Sequence, residues 1–487
     1  MRLLFTTAAL LLDFNSLVQA QATLPPPPQP TSSSETCAIS LTPSYEVKVA
    51  QGWTAHLLAR NLGTARGIKL DDRGGLLVVS SQRGIIHLNV TDRASTCPYV
   101  INNTTVVEDD RLNHGIELSP NGRTLYASSR ESVWAWDYDP SNASATNRRE
   151  IITNMTNTGH VTRTLFLSPS HPDLLLVSRG SAENLDPLAI PLENGISQIR
   201  AFNISNLTSS SPPYNYASSG LLIGWGLRNS VGIAEHPLTG GIFSVENNID
   251  QTFRLGIDIH EENPGEELNF HGFLNGSLLS NQHHGYPHCF PLYNNTAFPE
   301  LNSLTTGDQF SLNQTAELND EFCARDYVPP GLTFKAHMAP LDIKFNTAGN
   351  KAFVSFHGSW NRDEEPEGYK VSVVDWDAES GQPVHSRRSL NAARDVFATG
   401  DIHRCRPDGV CLRPVGLQVD DRGRVFVSSD YSGEVWVLEQ TGEVEEGPEE
   451  EPATTSNPAV RGFGMVRTEG WLVMGVTITL SFVGGCL

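Results

Sequence analysis

The sequence has little positive charge. Its 487 residues include 34 Lys and Arg against 55 Asp and Glu, so the formal net charge is −21. This balance argues against a nucleic-acid partner, because binding of a phosphate backbone needs concentrated Lys and Arg. Any anion that the chain binds must therefore be held by a few local arginines.

The seven cysteines lack the spacing of a zinc site. No CxxC pair and no Cys/His cluster occurs, so disulfides are the better interpretation. Six of the cysteines lie in the body of the chain and can form three disulfides in an oxidising compartment. Cys405 and Cys411 are expected to close a short loop. The six are Cys37, Cys97, Cys289, Cys323, Cys405 and Cys411.

Both ends of the chain carry targeting features. Residues 1–20 have the pattern of a signal peptide, with Arg2 before an apolar run and Val18-Gln19-Ala20 at the cleavage end. Residues 21–36 form a spacer rich in Pro and Ser. We therefore expect a secreted or extracellular protein. Ten glycosylation sequons agree with this, at Asn89, Asn102, Asn103, Asn142, Asn154, Asn203, Asn206, Asn275, Asn294 and Asn313.

The C-terminal tail is too short for an ordinary membrane span. An acidic and polar linker covers 441–470, and the apolar tail covers 471–487, whereas a spanning helix needs about 20 apolar residues. This order predicts a GPI-anchor signal, so the only expected membrane contact is through a lipid. A frayed hydrophobic end or a short span is the alternative.

One pattern recurs six times between these ends. Each copy has a short apolar segment, a turn with Pro, Asp, Asn or Gly, and a second segment rich in β-forming residues, which together predict a hairpin. The copies are Gly67–Leu70 with Leu76–Ser81, Gly115–Leu118 with Thr124–Ser129, Thr164–Leu167 with Leu174–Arg179, Gly232–Glu235 with Ile242–Asn247, Asp342–Phe345 with Ala352–His357, and Gly416–Val419 with Val425–Asp430.

Six such hairpins predict an all-β chain. A hairpin alone cannot bury both faces, but six units arranged radially stack sheet on sheet. We predict a six-bladed β-propeller over residues 37–440, with a long insertion between the fourth and fifth blades, roughly Ile257 to Pro330. Two β-sandwiches are the competing architecture.

Basic and aromatic side chains recur beside the repeats. Loops that flank the innermost strands of a propeller converge on a central channel, so these side chains should meet there. Arg offers a bidentate fork for carboxylates and Trp offers a stacking face, which together indicate an anionic, planar ligand. The segments concerned are Gly159–Arg163, Ser178–Asn184, Arg228–Asn229, Phe334–Pro340, His357–Arg362 and Arg413–Pro414.

The motifs as a set resemble the L-sorbosone dehydrogenase-like proteins, and among them the fungal pyrroloquinoline quinone (PQQ)-dependent pyranose dehydrogenases. The resemblance spans about Cys37 to Glu439 and implies a six-bladed propeller that holds PQQ and Ca²⁺ in its channel. The motifs are His160–Thr164, Gly180-Ser181 with Asn184, Gly226–Gly232, Asn263–Asn269, Gly285–Pro287, His357–Arg362 and Gly368–Lys370.

The resemblance also implies roles for single residues. His160 matches the catalytic base, which takes a proton from the anomeric hydroxyl of a sugar, and Arg228 matches the residue that steadies charge on the quinone. His114 is a weaker candidate for the base. The implied cofactor-binding residues are Arg163, Asn229, Lys335, Trp360, Asn361, Arg362 and Arg413, and the implied calcium residues are Asn247, Asn248 and Glu266.

The resemblance implies a pyranose or keto-sugar as substrate. We expect electrons to leave through a separate extracellular acceptor, such as a copper polysaccharide monooxygenase, because no haem-binding domain is recognised in the sequence. Two alternatives stay open. A six-bladed propeller can be a calcium-dependent lactonase, or a non-catalytic module that binds glycans or proteins.

Overall fold

The computed structural model describes residues 41–93, 97–275, 282–406 and 409–442. Almost all regular structure within them is β, and six sheets form the blades of a propeller. The innermost strand of each blade contacts the innermost strands of its two neighbours, and this ring closes from the sixth blade to the first. The predicted signal peptide, the spacer, nearly all of the linker and the apolar tail lie outside the described residues.

The predicted hairpins are the first two strands of the six blades. Strands are numbered along the chain, and β1 (Val47–Val49) and β2 (Trp53–Ala59) precede the first blade. Blade 1 consists of β3 (Thr64–Leu70), β4 (Leu76–Ser81), β5 (Gly84–Arg93) and β6 (Cys97–Glu108), and blade 2 of β7 (Leu112–Leu118), β8 (Thr124–Ser129), β9 (Val133–Asp139) and β10 (Ser144–Thr153). Blade 3 consists of β11 (Leu165–Leu167), β12 (Leu174–Arg179), β13 (Gln198–Asn203) and β15 (Leu221–Trp225). The short strand β14 (Tyr214–Asn215) pairs in parallel with β10.

The fourth blade contains the predicted insertion. Its strands are β16 (Ser230–Glu235), β17 (Gly241–Glu246), β20 (Glu266–Phe273) and β23 (Leu332–Phe334). The extra residues do lie between the fourth and fifth hairpins, but the topology places them inside blade 4 and not between two blades. Sequence spacing could not show this, because β20 falls within the range expected to be insertion.

The insertion has strands, a helix and a hydrophobic core that it shares with Ala189 and Ile196 of the β12–β13 connection. That core includes Ile259, Tyr286, Phe290 and Phe310. The Cys289–Cys323 disulfide joins a strand of the insertion to its helix. The elements are β18 (Phe253–Arg254), β19 (Ile257–Asp258), β21 (Cys289–Pro291), β22 (Gln309–Ser311) and α2 (Asp320–Asp326).

The last two blades use strands from both ends of the described chain. The strand β1 pairs with β28 (Ala393–Thr399) in blade 5, and β2 pairs with β31 (Glu434–Gln440) in blade 6, so the N-terminal strands complete the ring. The sequence pattern did not predict this closure. The strands are β24 (Pro340–Phe345), β25 (Lys351–Phe356), β26 (Lys370–Asp377), β27 (Gln382–Pro383) and β28 (Ala393–Thr399), then β29 (Pro414–Val419), β30 (Val425–Ser429) and β31 (Glu434–Gln440).

Glycines in the innermost strands permit the close approach of neighbouring blades. A Cβ atom added to Gly67 would lie 2.1 Å from the carbonyl oxygen of His114, and one added to Gly115 would lie 2.2 Å from that of Arg163. Real Cβ atoms do not approach so closely, so a side chain at either position would push the blades apart. The repeated glycine at the start of the hairpin pattern is therefore explained by packing around the channel.

Serines of the second strands join neighbouring blades. Ser128 donates a hydrogen bond to the Arg163 carbonyl at 2.6 Å, and Ser428 donates to the Arg66 carbonyl at 2.5 Å. These carbonyls belong to the residues that enter the next innermost strand. The bonds fix the backbone at the points where the side chains of the channel mouth begin.

The predicted pairing of Cys405 with Cys411 is confirmed, and the other three cysteines among the described residues are disulfide-bonded too. Cys405 and Cys411 form a disulfide that closes a short loop. Cys97 is also disulfide-bonded, whereas Cys37 lies outside the described range.

The helix α1 (Tyr216–Ser219) is short, and no helix in the described ranges is long and apolar enough to cross a membrane.

Candidate active site

A cavity of about 310 Å³ opens at one end of the central channel. It lies where the innermost strands begin and the second strands end, and blades 1, 3, 4 and 5 contribute to its wall. The lining residues are Arg66, His160, Val161, Thr162, Arg228, Asn229, Val231, Asn247, Asn248, Asp250, Glu266, His337, Ala339, Leu341, His357, Gly358, Trp360 and Asn361.

The imidazole ring of His160 is held in place through its Nδ1 atom, which contacts two oxygen atoms of Ser181. Its Nδ1 lies 2.9 Å from the hydroxyl oxygen of Ser181 and 3.1 Å from the Ser181 carbonyl oxygen. The hydroxyl of Ser181 donates its hydrogen to the carbonyl oxygen of Glu183 at 2.7 Å. Since both Ser181 oxygens then act as acceptors, Nδ1 carries the ring hydrogen. The Nε2 atom is left with a lone pair that can accept a proton.

The surroundings of His160 favour the neutral imidazole. Burial, followed by the positive charge of Arg228, lowers the pKa of His160 to about 3. A buried ring cannot easily carry a charge, and a guanidinium nearby repels a second cation. The ring is therefore neutral at neutral pH, which is the state that a general base needs.

Arg228 is a buried cation at the centre of the site. Its guanidinium donates to Asp250 at 2.9 Å, to the side-chain oxygen of Asn184 at 2.8 Å and to the Asn248 carbonyl at 2.5 Å. These contacts fix its plane beside the cavity. Its neighbour Asn229 donates to the side-chain oxygen of Asn247 at 3.3 Å. The structure thus brings Arg228 and Asn229, which were predicted to face the quinone, into contact with Asn247 and Asn248, which were predicted to lie at the calcium site.

The side chains at the predicted calcium turn are used by the protein. Glu266 accepts hydrogen bonds from the backbone N–H of Asn248 at 2.7 Å and of Ala339 at 3.0 Å. The Asn248 amide donates to Glu267 at 2.8 Å. Burial raises the pKa of Glu266 to about 7. The main-chain carbonyls of Asn248 and Asn247, a type of ligand that Ca²⁺ sites often use, accept from the Arg228 guanidinium at 2.5 and 3.4 Å, so a cation at this turn would have to share them with Arg228.

The part of the chain that the structure describes contains no cluster of side-chain ligands that marks a metal site. Within the described residues, no group of three or more His, Cys, Asp or Glu is placed to hold a metal ion. The metal roles of Asn247, Asn248 and Glu266 therefore stay predictions.

A second charged group faces the cavity from blades 1, 5 and 6. The Arg66 guanidinium lies 2.7 Å from Asp430 Oδ2, and His357 Nε2 lies 3.0 Å from Asp430 Oδ1. Burial acts against ionisation of Asp430, but His357 and Arg66 together hold its pKa well below the ordinary range. Asp430 is thus an anion that orients the side chains of Arg66 and His357 at the mouth of the cavity. Sequence reasoning assigned no role to Arg66, although it directly precedes Gly67 as Arg163 precedes Thr164.

Trp360 and Asn361 complete the wall from the loop after β25. The Trp360 side chain is 73% exposed and lines the cavity. Both polar atoms of the Asn361 amide are buried and have no hydrogen-bond partner among the described residues. A buried amide without partners costs free energy unless a ligand pairs with it. Asn361 therefore marks a place where a polar ligand fits.

Four predicted cofactor-binding side chains are engaged elsewhere. The lining that the described residues provide does not include Arg163, Lys335, Arg362 or Arg413. Arg163 is fully buried and donates to the carbonyls of Met155 at 2.6 Å and His160 at 2.8 Å. It supports the backbone of His160 from behind.

The other three cations pair with acids, carbonyls or rings. Lys335 Nζ lies 2.5 Å from Glu367, and Arg362 donates to Glu262 at 2.9 Å. Arg413 donates to the Cys405 carbonyl at 2.8 Å and lies over the ring of Tyr369. The acids that pair with Lys335 and Arg362 are 32 and 100 positions away in sequence, which is why local patterns could not reveal them. The cofactor-binding role of all four stays a prediction.

The weaker base candidate occupies another part of the channel. His114 is buried and borders a small cavity of about 40 Å³, together with Lys69 and Lys344. Burial lowers its pKa well below the ordinary value, and Arg66 adds to the effect. Val231, Leu341 and Val415 form a hydrophobic cluster in the channel wall. Of the two histidines, only His160 lines the larger cavity.

Comparison with known protein families identifies this arrangement. A family model described as TrAA12-like matches residues 47–441, which covers the propeller. The chain belongs to the TrAA12-like family. The family resemblance and the propeller predicted from the sequence are thereby confirmed.

Two curated relatives of this TrAA12-like chain are informative. A pyrroloquinoline quinone-dependent sugar dehydrogenase of Hypocrea jecorina is 45% identical over 81% of the chain and 89% of that protein. A pyrroloquinoline quinone-dependent pyranose dehydrogenase of Coprinopsis cinerea is 36% identical over 84% of the chain. The matched region spans only 57% of the length of that second relative.

Solved structures show the same fold. A calcium structure of a Trichoderma reesei carbohydrate-active enzyme of family AA12 is 45% identical and superimposes with a TM-score of 0.80, covering 83% of this chain and all of that one. The holo form of the PQQ domain of a Coprinopsis cinerea pyranose dehydrogenase is 35% identical, with a TM-score of 0.77 over 82% of this chain and 99% of that one.

Proposed function

We propose that this TrAA12-like chain is a PQQ- and calcium-dependent dehydrogenase that oxidises a pyranose or keto-sugar at its anomeric hydroxyl. The observation that carries the proposal is the placement of a neutral His160 with a free Nε2 in the same cavity as the buried Arg228. A base and a fixed positive charge at one site suit removal of a proton from the anomeric hydroxyl and of a hydride from the carbon that bears it. The names of the two curated relatives support this reaction.

The residues of the cavity fit a quinone with several carboxylates. Arg66 and Arg228 are the lining guanidinium groups, and Asn361 has a buried amide without partners. Trp360 presents an exposed aromatic face at the mouth. We place the quinone against Arg66, Arg228, Asn229, Trp360 and Asn361, because guanidinium and amide groups bind carboxylates and an indole stacks on a planar ring.

The donor set at the calcium turn fits a hard cation only in part. The carbonyls of Asn247 and Asn248 would bind Ca²⁺, which takes about six to eight oxygen ligands, once the Arg228 guanidinium turned away from the Asn248 carbonyl that it contacts in this structure. The quinone and water would supply the others. The Glu266 carboxylate supports the turn by accepting hydrogen bonds from the backbone N–H groups of Asn248 and Ala339.

When bound, the quinone accepts a hydride and Ca²⁺ polarises it as a Lewis acid. The protein supplies the rest of the chemistry. His160 Nε2 takes the proton of the anomeric hydroxyl while the hydrogen on the anomeric carbon leaves with its electron pair. The sugar becomes a lactone, having lost one proton and one hydride. Arg228 keeps a positive charge beside the acceptor throughout, held in place by Asp250.

The proposal includes location and electron acceptor. The signal-peptide pattern and the sequons support secretion, and the order of the C-terminal segments supports a GPI anchor. A separate extracellular acceptor, such as a copper polysaccharide monooxygenase, would receive the electrons. Mixing the oxidised, cofactor-loaded enzyme with that oxygenase should reduce its copper only when sugar is present.

Reconstitution tests the function. The purified chain would be loaded with PQQ and Ca²⁺ and assayed for dye reduction against a panel of aldoses and keto-sugars, with PQQ or Ca²⁺ omitted as controls. We expect turnover that requires both. Hydrolysis of lactones without dye reduction would instead support a lactonase, and no turnover with any sugar would contradict the proposal.

A further inference from the structure

We infer that Tyr286 is a positioning residue that holds the loop 181–186 in the form that His160 and Arg228 both require. Tyr286 lies in the insertion of blade 4, and His160 enters blade 3. The inference rests on the proposed function, because it assigns a role in the reaction of the same site.

The Tyr286 hydroxyl meets the loop at three atoms. It lies 3.2 Å from the carbonyl oxygen of Glu183 and 3.1 Å from that of Asn184, and it accepts the N–H of Asp186 at 2.8 Å. Tyr286 is only 2% exposed. The single hydrogen of this buried hydroxyl is thus shared between two carbonyls, and its oxygen accepts from one amide.

The loop orients His160 through Ser181. The Glu183 carbonyl accepts the Ser181 hydroxyl hydrogen, so the Ser181 oxygen is free to accept from His160 Nδ1. The backbone N–H of His160 also donates to the Ser181 carbonyl at 2.9 Å. If Glu183 moved away, the Ser181 hydroxyl could turn and donate to the ring, which would favour the wrong tautomer.

The same loop holds Arg228 through Asn184. Arg228 donates to the Asn184 carbonyl at 3.2 Å and to its side-chain oxygen at 2.8 Å. The Asn184 amide in turn donates to the Asp250 carbonyl at 2.8 Å. The base and the cation of the site therefore share one support.

Tyr286 is itself fixed at its backbone. Its N–H donates to the Gly226 carbonyl at 3.1 Å, two residues before Arg228. Its ring packs in the core of the insertion with Phe290 and Ile249. The insertion of blade 4 thus sets the geometry of a base that belongs to the entry of blade 3.

The test is Tyr286→Phe, which removes the hydroxyl and keeps the ring in its core. Tyr214→Phe is the matched control, because Tyr214 also donates from a part-buried hydroxyl to a carbonyl, that of Asn203 at 2.8 Å, far from the cavity. Ser181→Ala is a second variant that cuts the same support from the His160 side.

Two measurements are made on each variant. Hydrogen exchange of the cofactor-free protein is followed by mass spectrometry in the peptides that cover 181–190. Turnover is then measured after loading with PQQ and Ca²⁺. For Tyr286→Phe we expect faster exchange in these peptides and a kcat lower by about ten- to hundredfold, as for other supports of catalytic groups, with KM changed much less. Ser181→Ala should lower kcat similarly, and Tyr214→Phe should change neither measurement.

Two results would overturn the inference. Unchanged exchange in Tyr286→Phe would show that the hydroxyl does not hold the loop. Faster exchange with an unchanged kcat would show that the loop does not control the base. Absence of turnover in the wild-type protein would reject the proposed function instead, and the exchange data would still decide whether Tyr286 holds the loop.

Discussion

The Nδ1 atom of His160 lies 2.9 Å from the hydroxyl oxygen of Ser181, an oxygen that can only accept at this contact. The contact fixes the ring tautomer before any ligand binds. It also explains how a histidine with both a buried ring and a neighbouring guanidinium can serve as a base, since the neutral form has its lone pair at Nε2.

The first prediction concerns the pH dependence of the reaction. Burial and Arg228 lower the pKa of His160 to about 3, so the ring stays neutral until the pH falls toward that value. We expect kcat/KM to show no inflection from a histidine between about pH 4.5 and about pH 7.5. The check is a pH profile of the loaded enzyme with a dye whose reduction takes up no protons. Because burial raises the pKa of Glu266 in the same cavity to about 7, the profile is repeated with Glu266→Gln, and an ionisation near the ordinary histidine value of about 6.5 that persists in this variant would contradict the assignment.

The second prediction concerns Arg66, the lining cation that the sequence did not single out. Arg66→Gln should weaken binding of PQQ by about tenfold or more, because a hydrogen bond to a charged group contributes about 1.5–3 kcal/mol. Quinone absorbance titration of the protein with Ca²⁺ present measures this. Arg388→Gln is the control, as that side chain is 57% exposed and remote from the cavity. Equal affinity of Arg66→Gln and wild type would remove Arg66 from the quinone site.

The propeller could be predicted because its signal is local and repeated. A starting glycine, a turn and a β-rich segment occur in most blades, and packing around the channel explains the glycines at positions 67 and 115. Closure of blade 6 by Trp53–Ala59 could not be predicted, because that strand pairs with one near the other end of the described chain. No local pattern encodes such a pairing.

The site could be predicted only where a motif is contiguous. His160 and Arg228 lie in such motifs, and the structure places both in the cavity. Arg362 also lies in a motif, but its guanidinium meets Glu262, a hundred positions away. Charge pairing across the fold decides whether an arginine faces a ligand, and a single sequence does not display it.

The third prediction concerns the stability of the protein without cofactor. Burial raises the pKa of Glu267 from its ordinary 4.5 to about 8. The folded chain therefore binds this proton more tightly than the unfolded chain, so the stabilisation is complete below about pH 4.5 and is lost as the pH rises through about 8. Glu267→Gln keeps the shape without the charge. The thermal unfolding midpoint of Glu267→Gln, measured relative to that of the wild type, should therefore rise as the pH increases from about 5 to about 8.

Glu379→Gln is the control for this comparison, because Glu379 is exposed. Its midpoint should follow the wild type at both pH values. A constant difference between Glu267→Gln and wild type across the range would show that Glu267 does not carry a raised pKa.

The fourth prediction concerns glycosylation and rests on the proposed secretion. Asn89 on β5 and Asn102 on β6 are directly opposite in the antiparallel register, and both begin sequons. Side chains at such positions have Cβ atoms about 4.5–5.5 Å apart, too close for two branched glycans. We expect no single molecule to carry both. Glycopeptide mass spectrometry of the secreted protein should show higher occupancy of Asn89 in Asn102→Gln, and molecules with both glycans would refute this.

The most direct measurement of the central claim is a single turnover without oxygen. Wild type and His160→Ala are each loaded with PQQ and Ca²⁺ and mixed with a reducing sugar that the panel identifies as a substrate. We predict that both bind the quinone in a one-to-one ratio, that the wild type loses the oxidised quinone absorbance rapidly, and that His160→Ala retains it for at least about a hundredfold longer. Bleaching of the quinone at the same rate in both proteins would contradict the assignment of His160 as the base.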